Sequence, residues 1–170
     1  AGDLGYFGLS GSNSTDDKAG IPFFTPERET FLEYDLTRII YTLADPERKV
    51  IGVMSPLPIN GGAAQPPYQQ SPRWKVLDQI SDFFTVKMLP TQMREIPGDI
   101  DILMLVHPKG LDDFTLYAID QFVIGGGRAM VFVDANAEVD VPPDGRMQSL
   151  PVSDFNKILT TWGLKLVDNK

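Results

Sequence analysis

The sequence predicts an α/β fold, a three-layer sandwich around a mainly parallel central sheet. Three observations predict it. Strand-length apolar runs alternate with segments whose apolar residues recur at helical spacing. The clearest runs, Lys49–Met54 and Asp101–Val106, are almost continuously apolar, as suits strands covered on both faces. The chain has 170 residues, 42% of them hydrophobic and 22% charged, which is enough to build a core without a disulfide or metal. Alternation of this kind, with right-handed crossovers, places helices on both faces of one sheet. Length and pattern together read as a single domain spanning 1–170.

The elements follow in order. Tyr6–Leu9 reads as a first strand, running into the polar loop Ser10–Asp17. Thr25-Pro26 supplies a cap and a first-turn proline for a helix from about Glu27 to Leu43. Leu32, Leu36, Ile39, Ile40 and Leu43 form its apolar stripe. The strand Lys49–Met54 leads into a long loop, Ser55–Pro72, with five prolines and a glycine pair. Its length marks it as a functional flap or a mobile segment. Trp74–Phe84 reads as a helix with Val76, Leu77, Ile80, Phe83 and Phe84 inward, and Val86–Leu89 as a short strand. After Asp101–Val106, Asp112 caps a helix to about Val123, with Leu116, Ile119 and Val123 on one face. Gly125-Gly126-Gly127 releases the chain into the strand Ala129–Val133. Val139–Pro151 is a loop. Ser153 is placed to cap a last helix with the stripe Phe155, Ile158, Leu159 and Trp162, stopped by Gly163, and Leu164–Val167 is a final strand candidate.

Composition removes whole classes of function. Lys and Arg number 15 against 23 Asp and Glu, a net charge of −8, so the basic footprint that nucleic acid or an anionic membrane face requires is missing. The absence of cysteine excludes thiol catalysis, thiolate metal sites and disulfides. With a single histidine, His107, a multi-histidine metal site is impossible within one chain, and any Ser-His-Asp chemistry must use it. No apolar run approaches the roughly 20 residues of a membrane-spanning helix, and the sequence carries no glycine-rich Walker lysine motif.

In an open parallel sheet, ligands sit beyond the C-terminal strand ends. Four segments are expected to converge there: Ser10–Asp17, Ser55–Pro58, His107–Gly110 and Asp134–Glu138. The candidate binding residues are Ser12, Asn13, Thr15, Asp16, Ser55, His107, Lys109, Asp134 and Asn136. The Ser10–Thr15 loop has the hydroxyls of a phosphate cradle, but Asp16 and Asp17 would repel a phosphate, so a flavin or nucleotide site competes with a plain polar turn. His107 suits a general base, a ligand contact or a hydrogen-bonded loop residue. Ser55 follows a strand, yet no Gly-x-Ser-x-Gly elbow surrounds it. Asp134, Asn136 and Glu138 offer carboxylates and an amide for a divalent cation, for a sugar hydroxyl or for turn capping, without the spacing of a calcium loop. No cofactor or metal is expected from these patterns.

Glu33–Tyr41, Asp99-Ile100-Asp101, Leu105–Leu111, Leu116–Val123, Gly126-Gly127-Arg128, Val131–Asp134, Asn13–Asp16 and Trp162-Gly163 together give nearly the whole chain a strong resemblance to one family. It resembles the gliding-motility-type auxiliary component of ABC transport systems, an uncharacterised bacterial transport family. The resemblance implies a flavodoxin-like or glutamine-amidotransferase-like fold without a catalytic cysteine. It also implies a periplasmic, extracytoplasmic domain of a longer membrane-anchored protein, with the system's permease and ATPase as partners. The expected function is non-catalytic binding of a ligand or partner subunit through the strand-end loops. A hydrolase- or amidotransferase-like enzyme using His107, and a flavin or nucleotide binder, remain the alternatives.

Overall fold

The computed structural model describes residues 7–44, 47–62, 72–140 and 152–166. The chain divides into two compact units, Ala1–Arg48 and Lys49–Lys170.

The first unit holds a hairpin and a helix. Strand β1, Leu9–Ser12, pairs antiparallel with β2, Lys18–Ile21. This corrects the expectation of a first strand at Tyr6–Leu9 feeding a parallel sheet. The Ser10–Asp17 segment is half strand and half turn, because Asn13 and Asp17 close the chain back on itself. The expected long helix starts as a 3-10 turn, Pro26–Phe31, and becomes α-helical only over α1, Leu32–Ala44. Thr25 occupies the cap with Pro26 at the first position, but its side chain makes no capping bond. Ile39 is buried, whereas Ile40 is 67% exposed, so the stripe is narrower than its spacing predicts. Asp35 on this helix is buried against a two-pronged Arg28 guanidinium, at 2.9 and 3.2 Å.

The second unit is the α/β body. Four parallel strands run in the order β4-β3-β5-β6: β3, Val50–Met54; β4, Thr85–Leu89; β5, Ile102–Val106; β6, Arg128–Phe132. Their helices are α2, Lys75–Ser81; α3, Asp113–Ile124; and α4, Asn156–Thr161. Strand alternation sends Ile51, Val53 and Met104 to the face packed by Leu77 of α2. It sends Met54, Leu103 and Leu105 to the opposite face, against Ala118 and Ile119 of α3 and Ile158 and Leu159 of α4. Helices therefore cover both faces, giving the three-layer arrangement that the alternation predicts. The same alternation turns Gly52 to the second face, where side chains fill the space of a Cβ: one would lie 2.8 Å from Leu89 Cδ1 and 3.1 Å from Ile100 Cγ2.

Several elements depart from their sequence reading. α2 is shorter than Trp74–Phe84, and Val76 is largely exposed. The long loop begins anchored: Leu57 and Ile59 are core residues, and Ile59 O accepts from Trp74 N at 2.9 Å. The rest of that loop, 63–71, and most of Val139–Pro151 lie outside the described residues. Residues 164–166 form no strand, and Val167 lies outside the described residues. Asp112 does cap α3, accepting from Thr115 N at 2.8 Å. Among the described residues no helix is long and apolar enough to cross a membrane.

Candidate functional site

The hydrogen-bonded parallel register brings the ends of β3, β5 and β6 to one edge. Met54 lies level with Leu105, and Val106 with Phe132. Ser55, His107 and Asp134 are therefore delivered to that edge by strand geometry. The Ser10–Asp17 segment belongs to the two-stranded sheet of the first unit, not to this sheet.

His107 is the centre of the arrangement. It is 2% exposed and turns the chain with φ of 51°, a left-handed conformation uncommon for a side chain of this size. Its backbone N donates to Phe132 O at 2.9 Å. Its Nδ1 lies 2.9 Å from Ser153 Oγ, and its Nε2 lies 3.4 Å from Asp140 Oδ2. Ser153 Oγ also accepts from Asp134 N at 2.8 Å, while Ser153 N donates to Asp134 O at 2.8 Å. Asp154 N donates to Pro108 O at 2.8 Å. The segment Ser153–Asp154 is thus stitched to the ends of both β5 and β6. Ser153 is not the helix cap that its position suggests; Phe155 holds that position without a side-chain bond. Phe155 instead follows the stitched segment into the core, 1% exposed.

Lys109 pairs with the same Asp140 carboxylate that faces His107. The Lys109 ammonium, chiefly, holds the Asp140 carboxyl below the ordinary aspartate range, with His107 contributing and partial burial opposing. Asp134 turns its own carboxylate to Asn136 N at 2.8 Å, a local turn, and both residues are exposed. Ser55 accepts from Leu57 N at 3.1 Å, likewise a turn contact.

The row Ser153, His107, Asp140 has the residue types of a nucleophilic triad but not its presentation. A reactive serine must face substrate. The Ser153 side chain is 3% exposed and its oxygen is already held by a backbone N–H. These groups are arranged to fasten a segment. The partner hydroxyl of His107 is Ser153, not Ser55.

In the first unit, the phosphate-cradle reading fails on donors. Asn13 Oδ1 accepts from Thr15 N and Asp17 N, both at 2.9 Å, so the backbone groups a phosphate needs are used internally. Asn13 Nδ2 donates to Asp17 Oδ2 at 2.9 Å and to Leu43 O at 3.1 Å. The Thr15 hydroxyl lies 2.7 Å from Asp17 Oδ2, and bonds from Asn13 and Thr15 hold the Asp17 carboxyl below its ordinary range. Asp16 takes φ of 65° at the turn, and Ser12 lies in the β1 ladder opposite Lys18. These four candidates build a hairpin.

Sequence reasoning did not single out Asp140 and gave Ser153 another role. Their contacts with His107 span 33 and 46 residues, and no local pattern carries such a pairing. Among the described residues no group of three or more acidic or histidine side chains is placed to hold a metal ion.

No characterised protein and no solved structure matches the chain significantly. A family model described as an ABC-type uncharacterized transport system matches residues 48–170, which takes in the entire parallel sheet and its helices. The chain belongs to this family of auxiliary components of ABC-type transport systems.

Proposed function

We propose that the chain is a non-catalytic, extracytoplasmic domain of its transport system. On this reading it binds a ligand, or the permease of its system, through the rim at the C-terminal strand ends. The observation that carries the reading is the division of labour at that edge. The groups with catalytic potential, Ser153 and His107, are buried and occupied with each other. The polar groups left at the rim are exposed Asp134, Asn136 and Glu138, with part-exposed Ser55 and the Lys109–Asp140 pair. A rigid edge with an exposed polar rim suits recognition. The periplasmic location, the membrane anchor in a longer protein and a role of the gliding-motility type rest on the resemblance set out above.

A thermal-shift screen tests the reading, with sugars, amino acids, short peptides, nucleotides, flavin and divalent cations as the panel. A ligand at about 100 times its dissociation constant adds about 2.7 kcal/mol. A shift abolished by Asn136→Ala or Lys109→Glu supports a rim site. Should no panel member shift the domain, and should the purified permease also fail to bind it, the reading is wrong. Turnover of a hydrolase substrate lost in His107→Ala would replace it with the enzymatic alternative.

A further inference from the structure

We propose that Asn60-Gly61 is a covalent modification site, where the side-chain amide is lost through a cyclic imide to leave aspartate and isoaspartate. It is the sequence's only Asn-Gly pair, at the base of the loop that follows β3. Asn60 is exposed, and among the described residues no hydrogen bond holds its amide. Gly61 takes φ of 77° and carries no Cβ to bar its nitrogen from the neighbouring side chain. The step needs only base and water. Base removes the Gly61 amide proton, and the nitrogen attacks Asn60 Cγ. Nδ2 leaves as ammonia and the imide ring closes. Water then opens the ring at either carbonyl. Breaking the bond from nitrogen to Cγ gives aspartate. Breaking the bond from nitrogen to the main-chain carbonyl carbon gives isoaspartate, with Cβ and Cγ in the main chain. In sum one water is taken up and one ammonia released.

The fold separates this asparagine from the others described. Asn13 Oδ1 accepts from Thr15 N and Asp17 N, and its Nδ2 donates to Asp17 and Leu43, so its amide is held on both sides. Asn156 opens α4, whose helical backbone keeps the next nitrogen away from the side-chain carbon. Asn136 is exposed, but the next residue is Ala137, packed at 2% exposure. At Asn60 the backbone supplies a gate. Gly61 N donates to Pro58 O at 3.0 Å and closes a turn. That bond must open before the nitrogen attacks, so the rate of modification reads the opening of the turn. Ile59, inside the turn, is 1% exposed, and its carbonyl accepts from Trp74 N at 2.9 Å. Isoaspartate lengthens the main chain by one methylene directly beside this anchor of the loop. The site stands independently of what the strand-end rim binds.

Incubation of the chain at mildly alkaline pH, followed by peptide mapping with mass spectrometry, tests it. A synthetic peptide of the sequence Pro58 to Gly62 serves as the unfolded reference. Aspartate and isoaspartate should accumulate at position 60 while Asn13, Asn136 and Asn156 keep their amides. The peptide should convert about tenfold faster than the chain, the factor that one hydrogen bond is worth. Gly61→Ala should slow the reaction in the peptide, where the turn plays no part, and in the chain as well. An amide still intact at 60 when the other asparagines begin to react, or long after the peptide has converted, overturns the site. So does a Gly61→Ala peptide that converts no more slowly. A chain that converts as fast as the peptide removes the turn as its gate.

Discussion

Ser153→Ala is the sharpest single perturbation of the second unit. The substitution removes one oxygen from a site 3% exposed. Two partners lose their bond: Asp134 N at 2.8 Å and His107 Nδ1 at 2.9 Å. Asp134 is exposed, so water replaces much of what its N–H loses. His107 is 2% exposed, so its nitrogen is left unsatisfied. One exchanged bond costs about 1 kcal/mol and one orphaned buried ring nitrogen about 1–3 kcal/mol, for a total of about 2–4 kcal/mol. In a chain of this length that is roughly a 5–12 °C fall in Tm. Both tryptophans, Trp74 and Trp162, lie in the second unit, so their fluorescence follows its unfolding without contribution from the first. A cycle with His107→Asn should give a coupling energy of about 1 kcal/mol or more. Ser55→Ala, which loses only a turn contact, should stay within about 0.5 kcal/mol. A loss below about 1 kcal/mol in Ser153→Ala, or full additivity in the cycle, would refute the buried Ser153–His107 bond.

Three further outcomes follow from the packing. Leu103→Ala, at a site 0% exposed between β5 and its helices, should cost about 2–5 kcal/mol, whereas Ile40→Ala in α1, 67% exposed, should fall within about 0.5 kcal/mol; denaturant titration reads the first and a melting scan of the chain the second. Gly52→Ala should cost about 1–3 kcal/mol in the same titration, because its methyl meets the side chains of Leu89 and Ile100, which must shift to admit it. Asp112→Ala should lower Tm at neutral pH, with the difference vanishing on acidification. Bonds from Thr115 hold the Asp112 carboxyl below its ordinary range, so its contribution is present above the unfolded aspartate value and lost as pH falls through the folded one. Melting scans of both proteins from neutral pH to about pH 2.5 check the convergence.

The parallel body was legible in the sequence because its signals are local. Continuous apolar runs marked β3 and β5, the Asp112 cap marked α3, and Phe155, Ile158 and Leu159 marked the buried face of α4. The hairpin was missed because β1 and β2 are four residues each and half-polar, so neither shows a run; what makes them strands is their pairing and the Asn13 turn. Ile40 was read as core because helical spacing places it beside Ile39, yet burial depends on what packs against the helix. At the site, strand ends predicted the places of His107 and Asp134, since a parallel sheet puts them there regardless of side chain. The roles of Ser153 and Asp140 were not legible. Ser153 sits where a cap is expected, and only the tertiary return of the chain to β6 turns its hydroxyl to His107.

Site-specific photo-crosslinking reads out whether the C-terminal strand ends form a recognition rim. The crosslinker would replace exposed Asn136 at the rim, with exposed Tyr117 on α3 as the reference position. In cells carrying the whole transport system, a crosslink is expected from position 136 to the permease, suppressed by any ligand found in the thermal screen, and none from position 117. Crosslinking to the permease from 117 but not from 136 would contradict the rim.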